Sequence, residues 1–176
     1  MTESGTWPVP PHGESAVLVA VQSALTGRPG VLATARCLSH FGEHSIGWLA
    51  VSAAGALAQP RRRREWLLAG AGALAAHAAA VLIKRMVRRE RPHHPAIAVN
   101  VGTPSRLSFP SAHATSTTAA AILLGRVTGL PLPAALIPPM ALSRLVLGVH
   151  YPSDVAAGVV VGAAVATVVQ RWEPSR

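Results

Sequence analysis

Lys84 is the only lysine in a chain with fifteen arginines, and Asp154 is the only aspartate. Alone, each is what an Ala- and Arg-rich composition would produce by chance. Their neighbours change the reading. Lys84 is followed after six residues by Arg91 and Pro92. Further on come Ser108-Phe109-Pro110-Ser111-Ala112-His113, and then Ser143-Arg144, five residues, His150, three residues and Asp154. Three separated segments thus supply a lysine, two arginines, serines, two histidines and a carboxylate. Ionisable groups at membrane depth are costly and mark functional sites.

These residue types suit phosphoryl transfer. Lys84, Arg91 and Arg144 provide three positive charges for a phosphate dianion. Ser111 follows Pro110 and precedes an apolar helix, which is an N-cap position where free N–H groups and the helix dipole favour an anion. Asp154 can accept a hydrogen bond from His150, fixing its tautomer and raising its nucleophilicity. His113 is a second imidazole, able to protonate a departing oxygen. The expectation is covalent catalysis in two steps, with His150 as nucleophile, Asp154 as its partner and His113 as acid.

The elements that must position these groups are apolar. Half of the residues are hydrophobic, 13% are charged and the mean hydropathy is +0.36, whereas soluble domains carry about 25% charged residues. Met1 to Gly13 is polar and Pro-rich, reads as a disordered tail, and has no cleavable-signal pattern. Glu14–Thr26 and Pro29–His40 are short helices, the first suited to an interface. Five spans are expected over Ser45–Gln59, Trp66–Ile83, Ala114–Gly129, Pro131–Val149 and Val155–Val169, with the N-terminal element as a possible sixth. Pro138 and Pro139 should kink the fourth. The expected fold is all-α: a polytopic membrane helical bundle over residues 14–172, with a C-terminal tail at 173–176.

Counting crossings puts Lys84, Arg91, Ser111, His150 and Asp154 on one face. Arg61 to Arg64, Arg126 and Arg171 fall on the other, which the positive-inside rule makes cytoplasmic. The site is therefore expected on the extracytoplasmic side of a bacterial plasma membrane. A net charge of +9 admits nucleic acid, anionic lipid or a phosphate substrate. Aromatics are 4% and basic residues cluster between apolar runs, so nucleic acid is set aside as a partner. The single cysteine, Cys37, excludes an internal disulfide framework or a multi-cysteine metal site.

The three segments resemble the signature of the type 2 phosphatidic acid phosphatase superfamily, which includes the vanadium haloperoxidases. Its pattern reads K-x6-R-P, P-S-G-H, and S-R-x5-H-x3-D. The match runs from Lys84 to Asp154 and departs at one position, where Ala112 replaces glycine. The resemblance implies an all-helical fold and no metal or other cofactor. It also implies phosphate binding by Lys84, Arg91, Ser111, Arg144 and the N–H of Ala112, with His150, Asp154 and His113 as catalytic residues. Alanine keeps that N–H and suits a helix first turn, so activity is expected to survive.

The alcohol is less determined. Abundant Ala, Arg, Gly and Val point to a GC-rich genome, as in actinobacteria. The short chain and the stretch Ser39-His40-Phe41-Gly42-Glu43-His44 resemble family members there that act on decaprenyl-linked phosphoribose in cell-wall arabinan synthesis. Alternatives are a polyprenyl diphosphate phosphatase, a phosphatidylglycerophosphate or phosphatidate phosphatase, and a lipid-binding protein without catalysis. The apolar spans favour a lipid-linked substrate over haloperoxidase chemistry.

Other groups have blander readings. His40, Glu43 and His44 imitate a zinc-protease motif but lack an evident third ligand; a helix-surface cluster or a headgroup contact fits better. His77 shares a helical face with Lys84 and reads as a satisfied interhelical histidine. His93 and His94 read as solvated loop residues, able to line the mouth of a site.

Overall fold

The computed structural model describes residues 10–172. The expected tail segments 1–9 and 173–176 lie outside that range. Seven α-helices follow one another: α1 Gly13–Leu25, α2 Val31–Gly42, α3 Ile46–Ala58, α4 Arg63–Val87, α5 Ala112–Thr128, α6 Leu132–Val146 and α7 Pro152–Gln170. Short 3₁₀ turns at Glu43–Ser45 and Pro60–Arg62 precede α3 and α4. No strand forms among the described residues; one antiparallel bridge, Glu90 to Leu107, pinches the loop between α4 and α5.

α5 is the axis of the bundle, packed against α4, α6 and α7 and buried along nearly its whole length. Its Thr115, Ser116, Thr117 and Thr118 are all buried, which explains why a helix of modest hydropathy lies at the centre. Small residues let the helices close up, as they do where lipid supplies no hydrophobic drive between helices. Ala69, Ala73 and Ala76 of α4 meet Ala119, Ala120 and Leu123 of α5, with Trp48 and Trp66 completing this core. A Cβ at Gly162 of α7 would collide with the Thr115 carbonyl. A second apolar cluster, around Ala35, Val146, Leu147 and Val149, seats α1 and α2 against the end of α6.

The helix boundaries fall close to those the sequence predicts. α6 stops at Val146 rather than Val149, because Gly148 turns the chain at φ +69° against the Ala98 carbonyl. It runs as one helix through Pro138 and Pro139. Among the described residues, two stretches are long and apolar enough to cross a bilayer, Pro60–Val87 (mean hydropathy 1.9) and Pro152–Gln170 (1.7). α3, α5 and α6 have 13, 17 and 15 residues, under the roughly 20 of a complete span. Leu67, Leu74, Leu82 and Met86 on α4, and Val160 and Val168 on α7, face outward. That apolar exposure suits a lipid surround.

The end of the bundle opposite the motif loops is rich in arginine. Arg62 donates to the Val127 carbonyl and pairs with Glu65, while Arg64 Nη2 donates to the Trp172 carbonyl at 3.1 Å. Arg62, Val127 and Trp172 therefore share one end, as the crossing count requires.

Close backbone approach at Gly162 makes a clear stability expectation. Gly162→Val should destabilise the bundle by about 1–3 kcal/mol, the scale of overpacking. It should appear as a lower Tm in detergent, with an Ala substitution less harmful than Val.

Candidate active site

The loop after α4 is organised by Lys84. It is buried in the last turn of α4, and its Nζ donates to the carbonyls of Ser108 and Pro110, each at 2.7 Å, and of Leu107 at 3.3 Å. Three N–H groups thus meet three carbonyls. The ammonium ties the segment leading into α5 to α4, and it also lines the cavity that the motifs share. The backbone reinforces this tie: Arg91 N–H donates to Arg106 O and Ser108 N–H to Arg89 O.

Ser111 is the N-cap of α5, as expected. Its Oγ accepts from Ala114 N at 3.4 Å, and its own N–H donates to the Asp154 carbonyl at 2.9 Å. The serine is fully buried and stands behind the cavity wall, whereas Ala112 lines it. The first-turn N–H groups of α5 have no carbonyl partner within the helix, and Ala112 and His113 of that turn line the same cavity as the cations.

Lys84, Arg91, Ala112, His113, Arg144 and His150 line a single cavity of about 570 Å³. Arg91 is held by its Nε on Ser105 O (2.8 Å) and by Nη1 on Val149 O (2.6 Å). Burial pulls its pKa down to about 10, so it stays charged at neutral pH. Arg144 is only 2% exposed. Its Nε and Nη1 reach Ser143 Oγ and Ser39 Oγ, both at 3.1 Å, while Nη2 is buried with no partner.

His150 lies between α6 and α7. Its Nε2 is 3.3 Å from Arg91 Nη1, and an arginine can only donate. Nε2 is therefore the lone-pair nitrogen, and Nδ1 carries the proton. Nδ1 faces Asp154 Oδ2 at 3.6 Å, just beyond hydrogen-bond reach, and the Ser108 backbone also lies against the ring. Burial, then Arg91, Lys84 and Arg144, hold the imidazole pKa well below its ordinary value, so it is neutral. Asp154 is fully buried; its Oδ2 accepts from Tyr151 N at 2.8 Å, in a capping box that starts α7.

Two residues that sequence reasoning missed support this carboxylate, Arg89 directly and Glu14 through it. Arg89 Nη1 donates to Asp154 Oδ1 at 3.1 Å and to Ser153 Oγ at 2.6 Å, and its guanidinium lies over the Tyr151 ring at 4.2 Å. Its other amine pairs with Glu14, whose second oxygen accepts from Ser153 N at 2.7 Å. The first turn of α1 is thereby clamped onto the start of α7. Glu14 gave a faint signal, as a lone acid opening an apolar stretch. Arg89 was hidden among the neighbouring arginines.

His113 sits in the first turn of α5 with Nε2 2.9 Å from the Ser39 carbonyl. That nitrogen is the donor, which leaves Nδ1 for proton exchange. The wall beside it continues through His40, Glu43, His44 and His77. Among the described residues, no three His, Cys, Asp or Glu side chains are grouped so as to hold a metal ion. His77 is not the satisfied core histidine the sequence suggests: its Nδ1 is buried without a partner, beside His44. His93 and His94 stay outside the cavity lining.

Comparison with known proteins agrees with this architecture. The PAP2 superfamily matches residues 65–176. Decaprenylphosphoryl-5-phosphoribose phosphatase of Mycobacterium tuberculosis is 76% identical over 159 residues, covering 90% of each chain. Its namesake in Mycolicibacterium smegmatis is 78% identical over 148 residues, covering 84% of this chain and 82% of that one. Among solved structures, a transmembrane PAP2-type phosphatidylglycerolphosphate phosphatase from Bacillus subtilis superposes with a TM-score of 0.70 at 21% identity. It covers 89% of this chain and 84% of its own.

The clamp on Asp154 is directly testable. Arg89→Gln should cost about 1–3 kcal/mol, the scale of hydrogen bonds to charged groups. Glu14→Gln should cost less, and the double variant should fall short of the sum, as coupled partners do. Thermal unfolding of the four proteins in one detergent measures it.

Proposed function

This chain belongs to the PAP2 superfamily, and we propose that it removes the 5-phosphate from decaprenylphosphoryl-5-phosphoribose through a phosphohistidine on His150. One observation carries the reading. A neutral, buried imidazole has its lone-pair nitrogen among three cations and its N–H facing the only aspartate of the chain. A site that collects Lys84, Arg91 and Arg144 around one cavity is built for a dianion, since clustered buried cations need a counter-charge.

In this reading the phosphoryl oxygens take the unpartnered Arg144 Nη2, the Arg91 guanidinium and the first-turn N–H groups at Ala112. Ser111 and Lys84 shape the loop that presents those amides. The Lys84 ammonium also contributes its charge, and exchanging its longest carbonyl contact would let it touch the phosphate directly. Arg91 shifts its donor from His150 Nε2 to the substrate, which frees the lone pair.

His150 Nε2 then attacks phosphorus, and the bond from phosphorus to the ribose oxygen breaks. The leaving oxygen takes a proton from His113 Nδ1, which first receives it from the phosphate monoanion, since the resting ring carries its one proton on Nε2. Asp154 accepts from His150 Nδ1 and stabilises the positive charge that the ring acquires. In the second step His113 removes a proton from water, which attacks phosphorus; the P–N bond breaks and its electrons return to Nε2. His113 then returns its extra proton to the departing phosphate, so each turnover ends in the starting protonation state.

We place the cavity at the outer surface of the plasma membrane. The arginines of the opposite end support that side by the positive-inside rule, and the exposed apolar faces of α4 and α7 support the membrane itself.

Purified protein in detergent should release phosphate from decaprenylphosphoryl-5-phosphoribose. His150→Ala should lower that rate by roughly 10⁴-fold or more, the scale of losing a nucleophile. His113→Asn should slow it by about 10²–10⁴-fold, with a much smaller loss on an aryl phosphate whose leaving group needs no proton. Equal, background-level release by wild type and His150→Ala would refute the reading.

A further inference from the structure

The phosphate-binding groups occupy only one end of the cavity. We propose that its mouth, formed by His40, Glu43, His44 and His77, is a subsite for the vicinal hydroxyls of the sugar that carries the phosphate. This rests on the phosphatase reading above and names what that site selects.

In-line displacement fixes the direction. With His150 attacking, the leaving oxygen lies on the opposite side of phosphorus, next to the acid His113. The alcohol must therefore extend past His113. What lies there is the segment 39–44: the Ser39 carbonyl accepts from His113 Nε2. The backbone of Gly42 lies against the ring, where an added Cβ would stand 2.8 Å from Cδ2.

The chemistry of that wall is wrong for a lipid tail and right for a diol. It offers a carboxylate and three imidazoles. Glu43 stands 3.8 Å from His40 Nδ1 and 4.0 Å from His44 Nδ1, beyond hydrogen-bond distance, so its oxygens remain open to donors. The His44 and His77 rings lie 5.7 Å apart, and His77 Nδ1 is buried without a partner. Hydroxyls both donate and accept, so a pair of them can serve the carboxylate and an imidazole together. An alcohol without them leaves these groups unpaired, which is the strongest basis for rejecting it.

The backbone is committed to this presentation. His44 and Ser45 both adopt left-handed conformations, at φ 49° and 62°, a costly choice for two successive residues that are not glycine. Ser45 is fully buried and its Oγ donates to Ala73 O on α4. Phe41 packs edge-on against Trp48 at 4.7 Å. The turn is pinned on both sides while Glu43 and His44 face the cavity.

The test compares decaprenylphosphoryl-5-phosphoribose with its 2,3-dideoxy counterpart, using full-length protein in detergent. Wild type should favour the hydroxylated substrate in kcat/KM by about tenfold to a hundredfold, the value of hydrogen bonds to a charged group. Glu43→Gln should bring that ratio towards unity. His44→Asn, which keeps a residue tolerant of positive φ, should lower it as well. A ratio unchanged in both variants, or equal losses on the two substrates, would overturn the subsite while leaving the phosphatase reading intact. Wild type that releases phosphate from a polyprenyl diphosphate but from neither sugar substrate would overturn the choice of substrate, and the subsite with it.

Discussion

Three cations converge on one small cavity, and the fold must hold them there against mutual repulsion before any anion arrives. Backbone carbonyls make this possible. Lys84 spends its donors on three of them, and Arg91 on two. These dipoles stabilise each charge without cancelling it, so the cavity keeps its positive field. The same bonds lock the loop between α4 and α5 and set the start of α5. Electrostatics of the pocket and geometry of the loop are one arrangement, and together with burial it keeps His150 neutral.

Much of this was legible in the sequence because single residues carried it. The lone lysine, the lone aspartate and the Pro-Ser step before an apolar run each have one good physical use, and helix periodicity gives their relative heights. Ser111 became an N-cap because its hydroxyl can replace a missing carbonyl partner, which local chemistry alone decides. The helix boundaries were readable for the same reason.

What was not legible depended on tertiary approach. Arg89 is one of four arginines between Lys84 and Pro92, and only the arrival of α1 and α7 distinguishes it from Arg85 or Arg88. Hydropathy alone does not place α5, which is polar at Thr115 to Thr118 yet central to the bundle. His77 was read as satisfied because a helix face says nothing about which partner a neighbouring turn will bring. The paired left-handed residues at His44 and Ser45 have no sequence signature; glycine or asparagine would have announced them.

The two ends of the cavity are built from different stretches of chain. In the proposed mechanism residues 84 to 154 contribute the groups around phosphorus, while 39 to 44, with His77, shape the wall beside the departing oxygen. A change in the earlier stretch leaves the reacting atoms in place, apart from the contacts of Ser39 with His113 and Arg144. Such a division lets related membrane enzymes diverge in the alcohols they accept while inheriting a common engine, with Ser39 as the hinge point that neither half can alter freely.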